Sequence, residues 1–243
     1  MAQTNLKIGF ATDVGQRRDH NEDDLTTFVA EDGAQVLVVA DGMGGHLAGE
    51  VASAMAIEIL TRELARPTDD PSEALRAAIK LANAEIWAEA SRDPEKSGMG
   101  STVVAAIVRD NRAYLANAGD SPAYLVRAGE TSQITRDHGL VAEQVELGII
   151  TEEAAAHHPY RHVLTRCLGA EDDVDAEAYP PHELEPGDVL VLCSDGLTEH
   201  VSKREVAALT TASDPTEIAQ GLVDVANQRG GHDNITVVVA RVL

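Results

Sequence analysis

A layered α+β fold, with antiparallel strands inside and helices outside, is what this sequence predicts. Three observations carry that prediction. Short runs rich in β-branched residues recur at 36–39, 102–108, 112–116, Val189–Cys193 and 236–242. Amphipathic helix patterns separate them, and two of these patterns are consecutive. Residues 102–127 read as strands joined by hairpins. Strands and helices therefore do not alternate strictly, which argues against a doubly wound parallel sheet.

The first helix is expected over 48–65, with Val51, Met55 and Ile59 on one face and Leu60 and Leu64 beside it. The second, over 71–90, has a strong start: Asp70 as cap, Pro71 at the first helical position and Glu73 three residues after the cap. Leu75, Ile79, Ala82 and Ile86 then line one face. The same signal recurs at Asp214, Pro215 and Glu217, followed by Ile218, Leu222 and Val225 and closed by Gly230. Ser202 with Glu205 opens a shorter helix. Residues 139–168 carry few strand signals and read as a helical and loop insertion, a candidate flap. No repeat, low-complexity tract or linker divides the 243 residues, so one domain over 1–243 is expected.

Aromatic residues make up only 3% of the chain, so the core must be built from Val, Leu, Ile and Ala. Nineteen basic against forty-one acidic residues give a net charge of −22. Such a surface disfavours nucleic acid and anionic membranes, which are bound through Lys and Arg. It does not forbid an anionic substrate: surface charge is screened beyond roughly 8–10 Å, whereas bound divalent ions act at contact. Two cysteines, Cys167 and Cys193, give no disulfide framework, sit in apolar stretches and read as core residues. Asn5 and Lys7 interrupt any N-terminal apolar segment, and no run approaches membrane-spanning length. A soluble, cytoplasmic monomer is expected.

The informative feature is where the acids fall. Asp41 ends the apolar run 37–40 and precedes Gly42; Asp120 follows Gly119; Asp195 precedes Gly196; Asp233 precedes Asn234 and the final strand. An Asp-Gly at a strand end is most often a turn. Four at strand ends suggest a shared cluster, with glycines letting backbone carbonyls approach a ligand. Gathered carboxylates without nearby Lys or Arg are costly unless cations neutralise them. Oxygen donors suit Mg²⁺ and Mn²⁺; no Cys or His pair shows zinc-ligand spacing, which disfavours zinc. The segment Arg17, Arg18, Asp19, His20, Asn21, Glu22, Asp23, Asp24 reads either as a solvated loop or as a phosphate-gripping Arg beside acids that face metal or water.

Taken in order, these residues resemble the metal-dependent protein phosphatase 2C family in its compact bacterial form. The resemblance spans essentially the whole chain. It is carried by Arg18-Asp19-His20-Asn21-Glu22-Asp23, Asp41-Gly42-Met43-Gly44-Gly45-His46, Gly98-Met99-Gly100-Ser101-Thr102, Gly119-Asp120-Ser121, Thr135-Arg136-Asp137-His138, Cys193-Ser194-Asp195-Gly196-Leu197 and Asp233-Asn234-Ile235-Thr236. It implies a four-layer αββα architecture: a sandwich of two mostly antiparallel sheets flanked by helices, with a metal centre at one end. Asp41 is implied to bridge two Mn²⁺ or Mg²⁺ ions, with the Gly42 carbonyl on one and Asp195 and Asp233 on the other. Asp120, with Asp195, is implied for a third, weaker ion. Glu22 and Asp23 are implied as supporting acids and Arg18 as the phosphate ligand. The implied activity is hydrolysis of phosphoserine and phosphothreonine in proteins by metal-activated water, with phosphorylated proteins, including a serine/threonine kinase, as partners.

Two departures from the family pattern stand out. Pro122 replaces an Arg that usually follows Gly-Asp-Ser in bacterial members, which bears on the packing beside Asp120. Met43 stands where animal members carry a His, so no general acid is named; His46 is near in sequence but equally suits a loop or helix start. Rival readings are a non-catalytic phosphoprotein-binding module and a hydrolase of small phosphoesters. Calcium buffering is disfavoured, since no continuous twelve-residue acidic loop of that type is present.

Overall fold

The computed structural model describes residues 5–44, 47–212 and 214–243. In chain order the strands are β1 (Leu6–Asp13), β2 (Asp23–Val29), β3 (Gln35–Met43), β4 (Gly100–Ser101), β5 (Val103–Arg109), β6 (Arg112–Ala118), β7 (Ala123–Arg127), β8 (Glu130–Gln133), β9 (Glu177–Ala178), β10 (His182–Glu183), β11 (Val189–Cys193) and β12 (Ile235–Val242). They form two sheets, ordered β1-β12-β11-β7-β8 and β10-β6-β5-β3-β2, with β4 on β3 and β9 on β6. The pairings β1–β12, β11–β12, β11–β7, β2–β3, β3–β5 and β5–β6 are all antiparallel. Helices α1 (Ala48–Leu64) and α2 (Pro71–Arg92) cover one sheet, and α5 (Asp195–Thr198), α6 (Lys203–Leu209) and α7 (Pro215–Gln228) cover the other. The result is the expected four-layer αββα sandwich. The short helices α3 (Leu140–Glu146) and α4 (Glu152–Ala155) lie in the 139–168 insertion.

The continuous apolar strands follow from burial on both faces. Leu37, Val39, Val104, Ala106, Leu190, Leu192, Val238 and Ala240 meet between the sheets. Their alternates Val36, Val38, Val103 and Ala105 pack against α1 and α2, and Val189, Val191, Val237 and Val239 against α5 to α7. Asp70 accepts a hydrogen bond from the Glu73 N–H and Asp214 one from the Thr216 N–H, each capping a helix that begins with Pro. Ser202 and Glu205 form the expected reciprocal cap on α6.

Two expectations are corrected. The buried stripe of α1 is Ala52, Ala56, Ile59, Leu60 and Leu64, while Val51 and Met55 are only half-buried. Residues 102–127 are not one hairpin series. β5–β6 and β7–β8 are true two-residue hairpins, with positive φ at Asp110 and Asn111 and at Ala128 and Gly129. Between β6 and β7, however, the chain leaves one sheet for the other. Asp120 sits in that crossover.

Candidate metal centre

The crossover, the end of β11 and the start of β12 bring the acids to one end of the sandwich. Asp41 lies within β3, which continues to Met43, and so is not outside a strand end as expected. Its register partner on β2 is Asp23. Asp195 opens α5 instead of a turn. Asp233 stands two residues before β12, whose Val237 pairs with Cys193 at the end of β11.

Hydrogen bonds fix this end of the fold. The Asn234 side chain accepts from the Glu22 N–H at 2.8 Å and donates to the Val14 and His20 carbonyls at 2.9 Å each, tying the 14–22 segment to the Asp233 segment. The Thr102 N–H donates to the Asp41 carbonyl at 2.8 Å, and the Thr102 hydroxyl meets Ser121 at 2.6 Å. The Gly119–Asp120 turn rests on buried His138, whose Nδ1 accepts from the Gly119 N–H at 3.1 Å and whose Nε2 lies 3.0 Å from Glu177. The glycines serve backbone packing. A Cβ on Gly42 would sit 2.1 Å from the Gly49 carbonyl oxygen, and one on Gly196 would sit 2.0 Å from that of Asn234.

Burial pushes these carboxyls toward their neutral forms, and mutual repulsion adds to it. Asp41 is held well above the usual carboxylate range by burial, then by Asp23, Asp195, Asp120 and Asp233. Asp120 is pushed up to about 8 by burial, then by Asp195 and Asp137. Asp23 is pushed up to about 7, chiefly by burial, against hydrogen bonds from Ser194 and Thr236 that pull it down. Asp195 is raised by burial and by Asp233, partly offset by its interaction with Asp41. Glu22 is raised by burial, partly offset by Arg18. Among the described residues one ion pair reaches these aspartates, from Arg18 Nη2 to Asp233 Oδ2 at 2.7 Å. Asp23 Oδ1 is buried with no hydrogen-bond partner among them. Six acids gathered around one guanidinium, offering oxygen donors, fit hard divalent cations, which displace protons from such groups.

A cavity of about 510 Å³ opens over this cluster, lined by Arg18, Glu22, Asp41, Gly42, Asp120, Asp195 and Asp233. Asp23 alone among the expected site residues does not line it. It lies beneath, accepting from the Ser194 hydroxyl at 2.8 Å. Met43 and Thr102 also line the cavity, as do four residues that sequence reasoning did not assign: His162 and Leu164 from the 139–168 insertion, and Glu199 and His232. Nothing in their local sequence marks these four; the topology brings them in. Pro122 costs no ladder bond, because it precedes β7 and its carbonyl accepts from the Cys193 N–H at 3.1 Å. Cys193 is fully buried, but Cys167 is only half-buried, contrary to its reading as a core residue. Burial pushes the Cys167 thiol up to about 11, away from nucleophile chemistry. His46 lies outside the described residues. Among those residues, no helix is long and apolar enough to cross a membrane.

The sequence profile of the family described as protein phosphatase 2C matches residues 15–229. The serine/threonine phosphatase stp of Listeria monocytogenes is 39% identical over 236 residues, covering 95% of this chain and 93% of that one. The solved structure of the S. agalactiae serine/threonine phosphatase aligns with a TM-score of 0.93 at 37% identity, covering 98% of this chain and 100% of that one. The catalytic domain of the serine/threonine phosphatase PstP, in complex with two manganese ions, aligns with a TM-score of 0.85 at 37% identity, covering 98% and 100%. This chain belongs to the protein phosphatase 2C family and is a phosphoprotein phosphatase.

Proposed function

We propose that the chain hydrolyses phosphoserine and phosphothreonine in other proteins at a dinuclear Mn²⁺ or Mg²⁺ centre. Asp41 would bridge the two ions, with the Gly42 carbonyl, Asp195 and Asp233 completing the set. Asp120 with Asp195 would hold a weaker third ion. The observation that carries this reading is charge. Fully ionised, Glu22, Asp23, Asp41, Asp120, Asp195 and Asp233 exceed the one Arg18 cation by five charges, of which two divalent ions would cancel four. Bound there, the ions would neutralise phosphoryl oxygens and lower the pKa of water.

The protein's own groups supply the rest. Arg18 lines the cavity and uses one nitrogen on Asp233, leaving N–H donors of its fork for the substrate phosphate. Asp233 thereby orients the guanidinium. Glu22, held by Asn234 through its backbone and lining the cavity, would accept a proton or hydrogen-bond water. Asp23 supports Asp41 from below, through its β2–β3 pairing. Residues 139–168 act as a flap that meets the substrate protein through His162 and Leu164. A protein substrate is supported by the names of the relatives, and a phosphorylated kinase loop is the substrate class we propose.

The test is steady-state hydrolysis of a phosphothreonine peptide in Mn²⁺ and in chelator, for the wild type and for Asp41→Ala and Asp195→Ala. Activity should vanish in chelator and fall at least a thousandfold in either variant. Undiminished turnover in chelator would refute the reading.

A further inference from the structure

Two residues at the rim of the cavity, Glu199 and His232, belong to a second constellation of different chemistry. With His200 they offer a carboxylate oxygen and two imidazole nitrogens, one atom from each, all within 4.8 Å of one another. His232 Nδ1 lies 3.7 Å from Glu199 Oε1, and the two imidazole rings stand 4.8 Å apart. The donors come from two segments distant in sequence, so their spacing gives no hint of the cluster. Glu199 and His200 follow α5; His232 precedes Asp233. The segments are braced. Arg229 Nη1 donates to the His200 carbonyl at 2.6 Å, and the His232 N–H donates to His200 Nε2 at 3.2 Å. That last bond holds Nε2 as an unprotonated acceptor, the state in which imidazole binds metal. Gly230, at φ +132°, leaves room for the His232 ring: a Cβ there would sit 2.8 Å from its Nε2.

Two imidazoles and a carboxylate with an open fourth position form a zinc-type donor set. Zinc ligands about 2.0–2.1 Å from the ion lie roughly 3.4 Å from one another, so a pair at the 4.8 Å limit must close by about 1.4 Å. Glu199 and His232 are exposed, and the long 3.2 Å bond to His200 is the one an ion would displace. We propose that Glu199, His200 and His232 form a zinc-class transition-metal site, separate from the oxygen-lined centre. The two sites sort metals by donor chemistry. Nitrogen donors favour Zn²⁺ over Mn²⁺ and Mg²⁺, and an all-carboxylate nest does so far less. An ion at the rim would couple the segments that carry Asp195 and Asp233.

The experiment is a zinc titration of the 243-residue chain by competition with a chromophoric chelator. Millimolar Mg²⁺ is present to fill the oxygen site. Wild type and Asp41→Asn should each retain one tight zinc, and the His200→Ala/His232→Ala double variant should bind it at least tenfold more weakly. Wild-type zinc affinity in the double variant, or loss of the zinc in Asp41→Asn, would overturn the proposal. Should the double variant fail to fold, Glu199→Gln carries the same expectation. Electron paramagnetic resonance of Cu²⁺ on the wild-type chain should then show nitrogen hyperfine coupling, and its absence would equally overturn the proposal.

Discussion

Replacing Asp23 by Asn isolates the electrostatic cost on which the metal reading rests. In metal-free protein the folded state keeps Asp23 protonated up to about pH 7, whereas the unfolded chain releases that proton near the ordinary value of 3.8. Between those values the folded state holds more protons, so its stability falls as pH rises through the window. Asn mimics the neutral acid and keeps an acceptor for the Ser194 hydroxyl. From pH 5 to pH 8 the wild type therefore loses ground over the roughly two units below its folded value. At about 1.4 kcal/mol per unit, the advantage of Asp23→Asn grows by about 3 kcal/mol. For a chain of this size that is roughly 6–12 °C in Tm. Thermal unfolding in chelator at pH 5 and pH 8, followed by circular dichroism, reads it directly. In saturating Mn²⁺ the advantage should vanish, because ions then compensate the ionised carboxylate. A difference that stays constant with pH, or grows toward acid, would refute the reasoning.

Other outcomes follow from the same geometry. Arg18→Lys keeps the charge but loses the planar fork, so KM for a phosphopeptide should rise about tenfold while the count of bound Mn²⁺ stays unchanged. Gly196→Ala drives a Cβ to 2.0 Å from the Asn234 carbonyl oxygen and should cost about 3 kcal/mol or more in denaturant unfolding. His138→Ala strips the Gly119 N–H of its partner and opens a cavity, which should cost about 3 kcal/mol. The same change should weaken the third-ion site at Asp120 in calorimetric Mn²⁺ titration before it touches the two tighter sites.

Legibility in the sequence tracked burial. β3, β5, β11 and β12 were readable because both faces are covered, which writes unbroken Val-rich runs into the chain. β1, β2 and β8 carry no such signal, because exposed and half-buried positions dilute their pattern. The capped helices were readable because Asp-Pro starts act locally. The aspartates stand out by their glycines, which backbone packing also requires. Gly42 and Gly196 are required by backbone contacts with Gly49, Glu22 and Asn234, and the last two of these are far off in sequence. The turn between β6 and β7 hides a change of sheet, since Gly-Asp suits a hairpin turn as well as a crossover. His162, Glu199 and His232 reach the cavity through tertiary topology alone, which no local pattern encodes.

The most direct test is anomalous scattering from crystals of the chain grown in Mn²⁺. Two strong peaks about 3.5–4 Å apart should lie among Asp41, Asp195 and Asp233, with a weaker one at Asp120. An absence of peaks there, with the aspartates instead paired to arginines or lysines, would contradict the account.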